Sequence, residues 1–179
     1  MRTHTFIIVA SGLDPEASDF EDRLFEAGCD DATVSLSRGR ILLNFAREAK
    51  NYVHALASAV ADVERAGGRV ERIEPDTLVT IADIAVRAGI SRQAVSLYAR
   101  GQRGQGFPAP VAKVSSDAPL WDWAEVAAWL HRRRSASAVT TETVVEANLL
   151  DWANERVAEK SDDEQVTADR NGAQAVAEG

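Results

Sequence analysis

The chain has 179 residues, 45% of them hydrophobic, with one cysteine and a formal net charge of −8. That length allows one or two small domains, and that apolar fraction excludes a globally disordered chain. A lone Cys29 excludes an internal disulfide framework and suits a reducing cytoplasm.

The amino-terminal MRTHTFIIVASGLD holds an apolar run too short for a signal peptide, and no segment approaches a membrane span. A cytoplasmic protein without membrane contact is therefore expected. Thr5 to Val9 reads as a buried strand. Pro15 and Glu16 open a predicted helix with Phe20, Leu24 and Phe25 on one side, ended by Gly28. Thr33 to Ser37 alternates through Val34 and Leu36, and Arg40 to Phe45 alternates through Ile41, Leu43 and Phe45, with Arg38-Gly39 as a hairpin turn between them. A long helix is predicted from Glu48 to Ala66 with Val53, Leu56, Ala57, Val60 and Val63 as its apolar stripe. Gly67-Gly68 stops it, and Arg69 to Ile73 forms a last strand.

The resulting order, βαββαβ over residues 1–76, predicts a ferredoxin-like α+β domain. Such a fold hosts many functions and implies none. Glu74-Pro75-Asp76 marks a short connector, because proline blocks continuation of the strand.

Thr80 to Arg100, TIADIAVRAGISRQAVSLYAR, is the most informative stretch. Thr80 with Asp83 three residues later resembles a capping box, and Ile81, Ile84, Ala85 and Ala88 then share one helical face. Gly89 stands where a left-handed residue must end that helix. Ile90 plugs the turn and Ser91 is a good N-cap for a second helix. The second helix sends Ala94, Val95 and Tyr98 inward and leaves Arg92, Gln93, Ser96 and Arg100 outward. Small Ala85 lets the two helices approach closely. This spacing is that of a helix-turn-helix, whose second helix enters a DNA major groove. Arginine pairs bidentately with guanine and glutamine with adenine, so Arg92, Gln93 and Ser96 are the candidate base readers.

Gly101, Gly104 and Gly106 then form a predicted flexible loop carrying Arg103. The loop follows a helix instead of a strand and lacks the Walker lysine, which speaks against a nucleotide site. Val111 to Val114 is a predicted strand, and Leu120-Trp121 pairs back against it to make a small wing bearing Lys113. Asp122 caps a helix with Val126, Trp129 and Leu130 inward; Arg132, Arg133 and Arg134 end it, either complementing the helix dipole or touching phosphates. Residues 77–134 are thus expected to be a winged helix-turn-helix domain.

Residues 135–160 hold one more helix, from Thr140 to Lys160, whose apolar Val145, Leu149, Trp152 and Val157 either pair with a second copy or fold back on the body. Residues 161–179 read as a disordered acidic tail.

Charge supports this division. Residues 1–77 hold nine Lys/Arg against 14 Asp/Glu, a balance of −5; residues 78–134 hold eight against four, +4; residues 135–179 hold three against 10, −7. The basic island coincides with the helix-turn-helix, as a phosphate-binding surface requires.

Leu78 to Leu130 resembles the winged helix-turn-helix of MerR-type and excisionase-type DNA-binding proteins, with ISRQAVSLYARG, FPAPV and LWDWAEVAAWL standing for the recognition helix, wing entry and post-wing helix. The chain to about residue 134 is also similar to small uncharacterised bacterial proteins with an N-terminal α+β domain, through GCDDAT, FAREA and GQRGQGFPAPV. In MerR activators the effector domain follows the DNA-binding module, whereas here a domain precedes it. The missing cysteine cluster also removes any implication of metal sensing.

No catalytic constellation emerges. His4, His54 and His131 share no ligand spacing, Cys29 beside Asp30 and Asp31 is disfavoured as a thiolate, and neither a nucleophile elbow nor a Walker motif is present. The sequence predicts no enzyme and no cofactor. It predicts a homodimeric transcriptional regulator, a repressor or autoregulator, bound to double-stranded DNA. Ser91, Arg100, Arg103 and Lys113 contact phosphates and Arg92, Gln93 and Ser96 read bases. The alternative is an antitoxin or adaptor whose N-terminal domain neutralises a protein partner, with DNA binding secondary.

Overall fold

The computed structural model describes the backbone of residues 1–177 and the side chains of residues 1–160. It is a mixed α+β protein with a four-stranded antiparallel sheet and, among the described residues, six α-helices. The chain divides into two compact units, one of Met1–Pro75 with Trp152–Gly179 and one of Asp76–Asp151.

The first unit is built on β1 (Arg2–Ser11), β2 (Ala32–Ser37), β3 (Arg40–Ala49) and β4 (Arg69–Glu74), in the order β2-β3-β1-β4. Period-2 alternation sets its buried face. His4, Phe6 and Ile8 of β1 stand opposite Arg47, Phe45 and Leu43 of β3, and all six are buried. Phe6 and Phe45 stack with centroids 5.4 Å apart. Arg38 and Gly39 take φ values of 52° and 74°, the two left-handed residues of the tight hairpin whose twist matches its strands.

Helix α1 (Phe20–Glu26) begins later than Pro15 suggests. The Asp14 carboxylate accepts the Glu16 N–H at 3.0 Å, and local turns occupy the intervening residues. Phe20 and Leu24 are buried as expected, one helical turn apart, but Phe25 faces solvent. Helix α2 (Tyr52–Arg65) also starts late, because Glu48 and Ala49 stay in β3, paired with Thr3 and Arg2. Asn51 then caps it by accepting the His54 N–H at 3.0 Å. The buried stripe of α2 is Tyr52, Ala55, Leu56, Ala59 and Val63, so Val53 and Ala57, expected inside, point outward.

Arg47 is the buried charge beneath these elements. Its guanidinium donates to both Asp31 oxygens at 2.7 and 2.8 Å, to Asp62 at 2.6 Å and to the Gly28 carbonyl at 2.7 Å. The Asp31 hydrogen bonds hold it firmly charged against the cost of burial.

The second unit holds β5 (Leu78–Val79), α3 (Ile81–Ala88), α4 (Arg92–Ala99), β6 (Trp121–Asp122) and α5 (Trp123–Arg133), with β5 and β6 paired antiparallel. Val79, Ile84, Val95, Val126 and Leu130 are wholly buried at its centre, with Tyr98, Trp121 and Trp129 around them. The strand expected over Val111–Val114 is reduced to one bridge, Ala112 with Leu120. Lys113 takes φ 50° and a turn closes on it, the Ser116 N–H donating to its carbonyl at 2.9 Å. Val111 and Val114 are therefore exposed.

Helix α6 is Thr141–Ala177. In the second unit Ala147 joins the core and Val144 packs against it, while Val145 lies outside. In the first unit Asn154 meets Ile73 of β4, and Lys160 pairs with Glu64 of α2 at 2.6 Å. The backbone of α6 continues into the stretch expected to be a disordered tail; the side chains of residues 161–179 lie outside the described residues.

Candidate nucleic-acid interface

Two short helices and a tight turn place the candidate residues. The Thr80 hydroxyl accepts the Asp83 N–H at 3.2 Å, and the Asp83 carboxylate accepts the Thr80 N–H at 2.9 Å, a reciprocal capping box. Hydrogen bonds from the Thr80 side chain, then from its backbone, hold the Asp83 carboxyl below its ordinary pKa. At the other end of α3, Gly89 takes φ 64° and ψ 32°, and the Ile90 N–H returns to the Ala85 carbonyl at 3.0 Å. A side chain at Gly89 would be strained by that backbone and would meet the Ala138 Cβ at 3.4 Å. Ser91 then caps α4, its hydroxyl accepting the Ala94 N–H at 3.1 Å.

This turn fixes what α4 buries and what it shows. Val95 and Tyr98 enter the core, and Ala94 packs against it. Arg92 and Gln93 stand exposed in the first turn, and Arg100, the C-cap residue, is exposed at the far end. Ser96 is half-buried beside them, one turn beyond Arg92. Ser91, Arg92, Gln93, Ser96 and Arg100 are thus brought together on one helix of eight residues with its two caps.

The segment after α4 is fastened, in contrast to the flexible loop expected. Gly101, Gly104 and Gly106 all have positive φ, but the Trp129 indole N–H donates to the Gln105 carbonyl and the Trp121 indole N–H to the Pro108 carbonyl, both at 3.1 Å. A Cβ at Gly104 would sit 3.2 Å from the Trp129 ring on a backbone with φ 72°, so a side chain there would be strained. Phe107 packs between Tyr98 and Trp129, with centroids 6.1 and 5.0 Å away. Arg103 is exposed, and its guanidinium lies 5.5 Å from the Tyr98 ring centroid, which ties it to the end of α4. Lys113 is exposed on its own turn and is not drawn into this group by any described contact.

Two further arginines of this unit rest on tryptophan rings without having been singled out as individual site residues. Arg133 lies 5.0 Å from the Trp129 ring centroid. Arg87, on α3, lies 5.4 Å from the Trp123 ring centroid, and its Nη1 is buried with no hydrogen-bond partner among the described residues. Burial pulls the Arg87 pKa down, opposed by the carboxylates of Asp83 and Asp76. Sequence spacing carried little signal for them, because no arginine lies between Trp121 and Trp129 and the aromatic faces that orient these guanidinium groups meet them only on folding. Arg134 ends α5 in the left-handed conformation, while Arg132 is exposed.

The three histidines have local roles. His54 Nδ1 lies 2.8 Å from the capping oxygen of Asn51. His131 bridges the Val139 carbonyl and the Thr141 hydroxyl at 3.2 and 3.3 Å, and His4 packs on Tyr52. Among the described residues no cluster of His, Cys, Asp and Glu has the geometry to hold a metal ion. Among the same residues no helix is long and apolar enough to cross a membrane. The Cys29 thiol is buried, and burial first, then the Asp62 carboxylate, pushes its pKa up to about 11.

Compared with known proteins, the chain matches no family model, no curated protein and no solved structure.

Proposed function

We propose that this protein is a sequence-specific DNA-binding transcriptional regulator, a repressor or autoregulator, that reads the major groove with α4. One observation carries the reading: Arg92 and Gln93 project from the first turn of a helix whose entry angle is set by Gly89 and Ser91 and whose other face is packed in a core. Base readout needs such side chains on a helix that cannot rotate. The +4 balance of residues 78–134 supplies the phosphate attraction. In this reading Arg92, Gln93 and Ser96 read base edges, while Ser91, Arg100, Arg103 and Lys113 hold phosphates. Ser91 would do so through its exposed hydroxyl at the helix N-terminus.

α3 and α4 are then a helix-turn-helix, and the Ala112–Leu120 bridge with the β5–β6 pair supports reading residues 112–120 as its wing. The strand order β2-β3-β1-β4 supports a ferredoxin-like first unit. The protein works in the cytoplasm as a homodimer, without a cofactor or catalytic activity.

The test is selection of a preferred duplex from random oligonucleotides, followed by titration of Arg92→Ala and Gln93→Ala. Each substitution should cost about 1–3 kcal/mol on the selected duplex and relax preference at one or two base pairs. Unchanged affinity and preference in both would refute α4 as the reader.

A further inference from the structure

Its position at the end of α5 leaves Arg133 two roles, offsetting the helix dipole or touching a phosphate, and its contacts separate them. Among the described residues its hydrogen bond goes to the Gln105 carbonyl at 3.4 Å, on the loop that follows α4, and not to the last carbonyls of α5. Trp129, one turn back on the same face of α5, supports it, with the guanidinium carbon 5.0 Å from the ring centroid. Trp129 is 3% exposed, so a fixed ring sets where this charge sits.

The same aromatic cluster holds a second charge. Arg103 lies 5.5 Å from the Tyr98 ring centroid, and Tyr98 meets Trp129 edge to face with centroids 5.0 Å apart. The two guanidinium groups therefore rest on two rings that touch each other. Gly104 joins the two places: it directly follows Arg103, and a Cβ added to it would lie 3.4 Å from the Arg133 Cζ.

Neither charge is matched by an acid. In the first unit Arg40, Arg47, Arg65, Arg69 and Arg72 each pair with an aspartate or a glutamate. Arg103 and Arg133 pair with none among the described residues. The Gln105 carbonyl beside them is already taken by the Trp129 indole N–H and by Arg133, whereas the N–H groups of Gly104, Gln105 and Gly106 have no acceptor among the described residues. Two cations on adjoining rings, with main-chain donors nearby and no carboxylate, fit an anion.

We propose that Arg103 and Arg133 jointly grip one backbone phosphodiester of the bound duplex, an inference that rests on α4 being the reader. Arg133 then contacts DNA from a helix outside the helix-turn-helix. The placement fits, because the eight residues of α4 span about 12 Å, comparable with a major groove about 12 Å wide. With Arg92 and Gln93 of the first turn at the bases, the loop past Arg100 comes out at the groove's edge, where phosphates run. Arg132, next along α5, instead lines a hollow with Asp122, Glu125 and Asp151 and takes no part in the grip.

A methylphosphonate scan of the selected duplex, with one neutral linkage at a time, tests the pairing by binding titration. For the wild-type chain, one linkage outside the read base pairs should weaken binding roughly tenfold when neutralised. Arg103→Ala and Arg133→Ala should each weaken binding to the unmodified duplex by a similar factor, and each should lose most of its sensitivity at that same linkage. Combined, the two substitutions should cost less than their separate factors multiplied, as groups sharing one partner do. Base preference should stay that of wild type, and Arg132→Ala should leave the linkage map unchanged. Both gripping side chains are exposed, and the wild-type scan alters only the DNA, so a folding defect cannot imitate the result. A wild-type chain that binds no duplex overturns the proposal together with the reading of α4. A chain that binds through Arg92 and Gln93 but is indifferent to Arg133→Ala, or whose two arginines map to different linkages, overturns the proposal alone.

Discussion

Asn154 grips Ile73 with both ends of its amide: Nδ2 donates to the Ile73 carbonyl at 2.9 Å, and Oδ1 accepts the Ile73 N–H at 2.8 Å. One side chain, 81 positions along the chain, thereby does for β4 what another strand would do. Asn154→Ala leaves both main-chain groups without that partner and should destabilise the protein by about 1–3 kcal/mol. Asn154→Asp should also destabilise, because a carboxylate would face the Ile73 carbonyl. Urea unfolding of the full chain measures both; wild-type midpoints would show that water replaces the amide at no cost. The grip also means that cutting the chain after Arg134 would strip the first unit of its edge cover, so point substitutions are the cleaner probes of α6.

Packing between α3 and α4 rests on Ala85 and Gly89. Ala85 is buried where the helices approach, so Ala85→Leu should cost about 1–3 kcal/mol by overpacking and move α4. Gly89→Ala should cost about 1–2 kcal/mol for the left-handed backbone alone. If α4 is the reader, Ala85→Leu should also lower specific DNA affinity while non-specific binding at low salt survives. Melting curves and a paired titration on selected and random duplexes separate the two effects.

Salt dependence should distinguish phosphate contacts from base contacts. Affinity for DNA should fall steeply as salt rises, and Arg103→Ala and Lys113→Ala should each reduce the slope of log affinity against log salt by up to about 1 while leaving preference intact. A changed base preference would move those residues from positioning to reading. Because Arg103 is oriented by Tyr98 and Lys113 stands on a separate turn, Arg103 should have the larger effect.

Cys29 makes stability fall in alkaline solution. Its folded pKa, about 11, lies above the ordinary thiol value of 9.0, so the folded state keeps a proton that the unfolded chain loses first. The thiol's contribution is fully present below pH 9 and is lost as pH rises through about 11. Unfolding free energy should therefore decline across that window more steeply in wild type than in Cys29→Ala, and the native thiol should react slowly with a disulfide reagent at neutral pH. Equal slopes in the two proteins would remove the burial argument.

The amino-acid sequence by itself determined the local structure around α4. Thr80, Asp83, Gly89 and Ser91 act through hydrogen bonds and backbone angles within a few residues of themselves, so their residue types suffice to locate both caps and the turn. The same holds for the Arg38-Gly39 hairpin; period-2 alternation places Ile41, Leu43 and Phe45 on one face of β3, and packing made that face the buried one. The proposed reading residues were legible for the same reason: once Val95 and Tyr98 face inward, the exposure of Arg92 and Gln93 follows from helical spacing.

Tertiary structure alone decided the features that join distant positions. The starts of α1 and α2 were displaced because β3 extends to meet the beginning of β1 and Asp14 forms its own turn; packing also turned Tyr52, Ala55 and Ala59 of α2 inward, leaving Val53 and Ala57 exposed, and left Phe25 of α1 outside. Arg47 becomes a buried hub only when Asp31, Asp62 and Gly28 converge on it. The segment after α4 looked flexible from its glycines, yet Trp121 and Trp129 hold it through carbonyls that no periodicity reveals. Val111–Val114 fell short of a strand because pairing with Leu120 stops at Ala112, where Lys113 turns the chain with a positive φ. Local signals are written in neighbouring residues, whereas these outcomes depend on which backbone groups remain unsatisfied after folding, and that is a property of the whole chain.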